Sequence, residues 1–161
     1  MIDELPTRAA LSMAAVLLLA TGLSVLSVFD GDAAREAAKD LAAHLERQLD
    51  LVGSLEGNGT FRGGVGASGA FDLPPNLAGS PYTVEFRSTN VRVILRTSAA
   101  VVALRTSIHP FLPDRGTYSG TDLGTRDWSV VHVRVGTSFI VARTQRIVDG
   151  APAYLTFVYL P

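Results

Sequence analysis

The hydrophobic and polar positions of this chain divide it into three parts. Residues 9–29 form an apolar run without a charged side chain. Residues 32–52 then carry apolar side chains at three- and four-residue spacing, and the remainder alternates short apolar runs with glycine and proline. We therefore expect an α+β protein in which a long N-terminal helix packs on an antiparallel β-sheet or a small β-sandwich.

The apolar run predicts a membrane-spanning helix. Its 21 residues are enough, at about 1.5 Å per residue, to cross a hydrocarbon core of roughly 30 Å. A cleaved secretory signal would have a shorter apolar region followed by a small-residue cleavage site, which is not found here. A buried core helix would need more surrounding protein than this short chain supplies. We take the N-terminus as cytoplasmic and expect an extracytoplasmic domain beyond the membrane.

Residues 30–53 predict an amphipathic continuation of the same helix, ending at Gly53. Its apolar side chains lie on one face, and charged side chains occupy the rest of its surface. This apolar stripe consists of Ala38, Leu41, Leu45, Leu49 and Val52. We expect the stripe to pack against the β-sheet of the same chain, and the alternative is a coiled coil with neighbouring subunits.

The rest of the chain predicts a loop and a β-rich extracytoplasmic domain. Residues 54–80 are rich in glycine and proline and are expected to form a loop. Residues 81–161 contain a second expected loop at 109–127, and Asp149-Gly150 predicts a tight hairpin turn. The predicted strands cover 82–87, 91–96, 100–106, 128–135, 137–145 and 153–160. The core residues expected on these strands are Val84, Phe86, Val91, Val93, Leu95, Val102, Leu104, Val131, Val133, Val135, Phe139, Val141, Tyr154, Phe157 and Tyr159.

Composition excludes several classes of site. The formal net charge of −1 gives no reason to expect a nucleic-acid partner, and the absence of cysteine excludes disulfides and thiolate metal sites. Arginines do recur at alternate strand positions, namely Arg87, Arg92, Arg96, Arg105, Arg134 and Arg143. They form either a basic face that binds an anionic glycan or nucleic acid, or an ordinary solvated face, which we favour.

Candidate chemistry is limited to one modification site. The histidines His44, His109 and His132 are widely separated, and no nucleophile elbow or phosphate-binding glycine loop occurs. We therefore expect no enzyme activity, no cofactor and no metal site. Asn58-Gly59-Thr60 is an N-glycosylation sequon, which makes Asn58 a candidate glycosylation site in an exported domain.

The organisation of the chain resembles that of archaeal type IV pilin-like proteins. Arg8-Ala9-Ala10-Leu11, directly before the apolar run, resembles the cleavage region of a class III signal peptide. The passage over residues 73–84, with its Leu-Pro-Pro and Gly-Ser-Pro-Tyr sequences, is similar to a passage in uncharacterised archaeal pilin-like families. Bacterial pilins carry a glutamate near the start of the mature helix. None is present here, which favours the archaeal comparison.

The resemblance implies processing and assembly. A prepilin peptidase would cut between Ala9 and Ala10, removing residues 1–9 as a leader and leaving residues 10–29 as a transmembrane and filament-core helix. The implied function is that of a structural subunit, a major or minor pilin, of a surface filament. The membrane, the peptidase, other pilins and further copies of this chain are the expected partners. The alternative is a single-pass surface protein whose β-domain binds a ligand without polymerising.

Overall fold

The structure is a computed structural model that describes residues 31–161. In this part, helix α1 covers residues 31–54 and is followed by two β-sheets and a short second helix. The elements after α1 are β1 (Gly59–Val65), β2 (Asp72–Leu73), β3 (Thr83–Arg87), β4 (Asn90–Ile94), β5 (Ala99–Ala103), β6 (Thr117–Tyr118), α2 (Gly120–Arg126), β7 (Val131–Arg134), β8 (Phe139–Val148) and β9 (Ala151–Tyr159).

One sheet has four antiparallel strands in the order β5-β4-β3-β7. Ser88 and Thr89 connect β3 to β4, with Arg87 opposite Asn90. Since side chains alternate between the two faces of a strand, Val84 and Phe86 point into the core while Glu85 lies on the outer face. The predicted strands over residues 82–106 are confirmed, with ends shifted by at most three residues.

The second sheet is built around the long strand β8. Strand β9 pairs with one edge of β8, while β1 and the short parallel strand β6 share the other edge, and β2 runs parallel to β1. Asp149 and Gly150 connect β8 to β9 with φ values of 50° and 85°. Positive φ at both central residues is typical of a type I′ turn, so the predicted hairpin is confirmed.

The apolar stripe of α1 is buried in the core of the same chain, as expected. Leu45 is 0% exposed and Leu49 is 1% exposed, in one cluster with side chains from both sheets. Phe86 and Phe139 join the two sheets within this cluster, with their ring centroids 5.0 Å apart. The described residues therefore form an α+β fold in which the N-terminal helix packs on two sheets.

The predicted end of α1 at Gly53 is corrected by one residue, because the helix continues to residue 54. A β-carbon at Gly53 would lie 2.8 Å from Cγ2 of Thr106, so the glycine permits close approach between α1 and this later segment. Asp50 fixes the same contact, since its Oδ1 accepts hydrogen bonds from the backbone N–H groups of Arg105 and Thr106 at 3.2 and 3.0 Å.

The predicted loop over residues 54–80 is a second correction, because it contains β1 and β2. Its glycines interrupt any apolar pattern, yet β1 is held by its pairing with β8. Gly63 lies opposite Phe139, and the ring of Phe139 occupies the space that a β-carbon of Gly63 would need. An aromatic side chain across the strand pair compensates for the missing side chain of glycine.

The predicted loop over residues 109–127 is a third correction. It contains β6 and α2, and it covers the second face of the β8–β9 sheet. A second cluster of buried residues lies there, made of Tyr118, Leu123 and Phe157, with Phe111 packed against it. The five-stranded sheet therefore has a buried cluster on each face, with Val158 of β9 in one and the neighbouring Phe157 in the other.

The predicted core is confirmed at most but not all positions. Val135 and Tyr154 are exposed instead of buried, because Val135 follows the last residue of β7 and Tyr154 lies toward the hairpin end of β9, four residues before the buried Val158 on the same face. The strand predicted at 128–135 begins only at Val131, which leaves Trp128 outside the sheet.

The membrane prediction falls on residues that are not described. Across residues 31–161, no helix is both long and apolar enough to span a membrane. The leader at 1–9, the predicted span at 10–29 and the processing residues Arg8, Ala9, Ala10 and Leu11 all lie outside the described residues.

Candidate functional site

A groove lies between the β3–β4 turn and the C-terminal end of α2. Its volume is about 460 Å³, within the range of roughly 300–1,000 Å³ that small-molecule sites usually have. We call it the Trp128 groove. It is lined by Arg87, Ser88, Thr89, Asn90, Gly124, Asp127, Trp128, Ser129 and Val130.

Helix α2 positions one wall of the Trp128 groove. Ser119 caps the helix by accepting a hydrogen bond from the Asp122 N–H at 3.0 Å, and Asp122 lies favourably near the positive end of the helix dipole. The spacing Ser119-x-x-Asp122 is the kind of sequence signal that begins a helix, so α2 could have been found from the sequence. The helix ends at Arg126, which brings Asp127 and Trp128 to the groove.

Asp127 is held in place by a buried histidine. The Nδ1 atom of His109 lies 2.7 Å from Oδ1 of Asp127. The backbone of His109 is in turn fixed to β9, since its N–H donates to Thr156 O at 2.8 Å and its carbonyl accepts from Val158 N at 3.0 Å. The wall of the groove that contains Asp127 is therefore attached to the five-stranded sheet.

A second ion pair stabilises the segment that carries α2. The guanidinium of Arg126 donates two hydrogen bonds to the Asp114 carboxylate, at 2.6 and 2.9 Å. The hydrogen bonds from Arg126 lower the pKa of Asp114 to about 2, and the Coulombic attraction of Arg126 and a hydrogen bond from the Tyr118 hydroxyl act in the same direction. Arg126 also lies 5.1 Å from the centre of the Phe111 ring.

Trp128 is the most exposed large apolar side chain of the described residues. It is the single tryptophan of the chain, and 86% of its surface is exposed. Tryptophan is normally well buried, because its large apolar surface contributes strongly to core stability. An indole left in water beside a polar groove is typical of a contact surface.

Several polar groups of the Trp128 groove are not used by the fold. Within residues 31–161, no hydrogen bond involves the hydroxyl of Ser88 or of Ser129. Oδ1 of Asn90 is enclosed by its neighbours and accepts no hydrogen bond. Nδ2 of the same amide donates to Oγ1 of Thr89 at 3.5 Å, which leaves the two serine hydroxyls of the groove without a partner among the described residues.

A charged cluster lies next to the groove on the outer face of the four-stranded sheet. Glu85 is only 7% exposed, and its Oε2 lies 3.3 Å from Nη2 of Arg87 and 3.2 Å from Nη1 of Arg92. Oε1 of the same carboxylate lies 3.4 Å from Nδ1 of His132. Glu85 thereby partly neutralises Arg87, the single cation of the groove.

The alternating arginines do not form one basic face. Arg87, Arg92 and Arg134 share the outer face of the four-stranded sheet, where Glu85 lies among them. Arg105 lies 3.8 Å from Glu46 and 4.0 Å from Asp50 of α1. Arg143 belongs to the other sheet, where its guanidinium lies 5.7 Å from the ring centre of Tyr154.

The sequon residue Asn58 is exposed immediately before β1. Its Oδ1 accepts a hydrogen bond from Gln145 N at 2.8 Å and so extends the pairing between β1 and β8. The Nδ2 atom, to which a glycan would be attached, takes part in no hydrogen bond with residues 31–161. The side chain thus supports the strand pair through Oδ1, while Nδ2 is not engaged within the described part of the chain.

Among residues 31–161, no three histidine, aspartate or glutamate side chains are grouped as a metal site would require. His44, His109 and His132 lie on α1, beside β9 and on β7, respectively. Comparison of the chain with protein-family models, with curated proteins and with solved structures gave no match.

Proposed function

We propose that this chain is a structural subunit, a major or minor pilin, of an archaeal type IV pilus-like surface filament. The observation that carries the proposal is the packing of α1. Its apolar stripe is buried against both sheets of the same chain. The apolar run at 10–29 is therefore the long apolar segment that remains for association with other subunits.

The composition of residues 10–29 suits such association. Apolar helices associate in a membrane mainly through close van der Waals packing, which small residues allow. This run is rich in alanine, leucine and valine and includes Gly22. In the assembled filament these helices form the core, and the β-rich domain covers the outside. Before assembly the same helix anchors the subunit in the membrane.

The test is the mature N-terminus of protein expressed in its native host. Intact-mass measurement is expected to give a chain that begins at Ala10, and electron microscopy of cell-surface fractions is expected to show filaments that contain it. Ala9→Trp should block cleavage by the prepilin peptidase and abolish the filaments. Ala70→Trp, a matched change at an exposed position outside the elements, should leave both unchanged.

Two other outcomes would contradict the proposal. A membrane-bound chain that retains Met1 and forms no filament favours the single-pass surface protein. Cleavage near Ser27 would show that the apolar run is an ordinary secretory signal.

A further inference from the structure

We propose that the Trp128 groove is a binding site for a neutral saccharide. The exposed indole provides a stacking surface, and the polar side chains of the β3–β4 turn and of the segment after α2 provide the hydrogen bonds. This inference concerns a different part of the molecule from the proposed assembly helix and does not depend on filament formation.

The indole of Trp128 has the surface that a sugar ring requires. One face of a pyranose consists of polarised C–H groups, which an aromatic face attracts through its negative quadrupole. Because 86% of Trp128 is exposed, a ring can cover the indole without displacing any packed side chain. Covering this surface also removes a large apolar area from water.

The other lining groups match the edge of a sugar. Hydroxyl groups of a saccharide both donate and accept hydrogen bonds, and so do the hydroxyls of Ser88 and Ser129. The two serine hydroxyls have no partner within the described part of the chain. They can therefore bind a ligand without breaking existing hydrogen bonds.

The charge of the groove favours a neutral ligand. Its lining contains one cation, Arg87, and one anion, Asp127. Arg87 is already paired with Glu85, and Asp127 is hydrogen-bonded to His109. An anionic ligand such as a nucleotide phosphate would need several uncompensated basic groups, which this groove lacks.

Two other ligand classes need more aromatic side chains than the groove has. Proline-rich peptides bind in grooves lined by several aromatic residues. Quaternary ammonium groups are held in cages of several aromatic rings. Trp128 is the single aromatic residue among those that line the groove. One stacking platform surrounded by hydroxyl groups corresponds best to a saccharide.

The single tryptophan makes the site directly observable. The full-length protein is purified in a detergent without a sugar headgroup and titrated with maltose, cellobiose, lactose and chitobiose while tryptophan emission is recorded. We expect at least one of these disaccharides to shift the emission saturably to shorter wavelength, because stacking removes the indole from water. No change with any of them at up to about 50 mM, where even a millimolar site would be filled, overturns the proposal.

Variants then assign the binding to the groove, with titration calorimetry as the measurement. Trp128→Ala should raise the Kd of the active disaccharide by at least about tenfold, and Trp128→Phe should raise it less because a flat ring remains. Tyr154→Ala removes an exposed aromatic side chain from β9, in the other sheet, and should leave the Kd within about twofold. Equal affinity of Trp128→Ala and the unchanged protein overturns the proposal. So does tighter, salt-sensitive binding of a sulfated disaccharide, because the site would then be charge-driven.

Discussion

At the scale of single residues, Gly63 is needed because it has no side chain. It lies opposite Phe139 in the pair of β1 and β8, and the phenyl ring fills the space above it. Phe139 is itself fully buried and contacts Phe71 and Phe86. A ring held in this way cannot move aside without disturbing the aromatic packing that joins the two sheets.

Gly63→Ala is therefore expected to lower the free energy of unfolding by about 1–3 kcal/mol, since overpacking forces displacement of neighbouring side chains. Denaturant unfolding of the purified protein measures the change. Gly116→Ala is the control, because no atom lies within 4 Å of the added carbon, and it should stay within about 0.5 kcal/mol. Equal changes in the free energy of unfolding for the two substitutions would mean that the Phe139 ring can move aside without destabilising the protein.

The ion pair of Asp114 and Arg126 predicts a pH dependence of stability. The pKa of Asp114 is lowered in the folded protein from 3.8 to about 2, so the ionised carboxylate favours folding. This contribution is fully present above the unfolded pKa and is lost as the pH falls through the folded pKa. The relevant window is between about pH 4 and pH 2.

Asp114→Asn should thus lower the melting temperature at neutral pH. The difference in melting temperature between this variant and the unchanged protein should become smaller as the pH falls from about 4 to about 2. Thermal unfolding followed by circular dichroism at a series of pH values tests this. Arg126→Gln should remove the larger part of the same pH-dependent component, because Arg126 is the main cause of the lowered pKa of Asp114 and the Tyr118 hydroxyl remains. A difference that is constant across this range would contradict the assignment.

At the scale of elements, α1 organises the core because one helix contacts both sheets. In folded proteins most of the stability of an amphipathic helix comes from the packing of its apolar face, and α1 buries such a face. Substituting a buried and an exposed leucine of α1 distinguishes the effect of packing from that of helix propensity. Leu45 is 0% exposed, whereas Leu51 is 58% exposed on the same helix.

We expect Leu45→Ala to destabilise the domain by about 2–5 kcal/mol, because it removes buried methyl groups and leaves a cavity. Leu51→Ala is the matched control and should change stability by less than about 0.5 kcal/mol. The thermal transition of the β-sheet signal is the measurement. If that transition is the same for Leu45→Ala as for Leu51→Ala, the helix does not contribute to the domain core.

At the scale of the whole molecule, residues 32–161 contain what a stable domain needs. Their core joins the helix to both sheets, and the segment that carries α2 covers the remaining face of the β8–β9 sheet. Expressed without the apolar run, this segment is expected to be a soluble monomer with a β-dominated circular dichroism spectrum. Light scattering measures its mass. A helix-dominated spectrum, or aggregation in every buffer, would contradict this prediction.

The sequence alone was sufficient for the elements whose periodicity is local. The three- and four-residue spacing of the α1 stripe predicted both the helix and its buried face. Alternation predicted the strands that form the four-stranded sheet, and Asp149-Gly150 predicted the β8–β9 turn. These patterns can be read directly because the burial of one face imposes them on neighbouring residues. The absence of cysteine excluded disulfides on composition alone.

Tertiary structure decided the features that depend on residues far apart in the chain. Strand β1 exists because β8 pairs with it and Phe139 packs over Gly63, and Gly53 is required by Thr106 rather than by the end of α1. Trp128 lies in a run that alternates like a strand, yet the sheet begins only at Val131 and leaves the indole exposed. The Trp128 groove joins the β3–β4 turn to the end of α2, segments about 35 residues apart in the chain. Local periodicity carries no information about such contacts, because they arise only when the sheets and helices have packed.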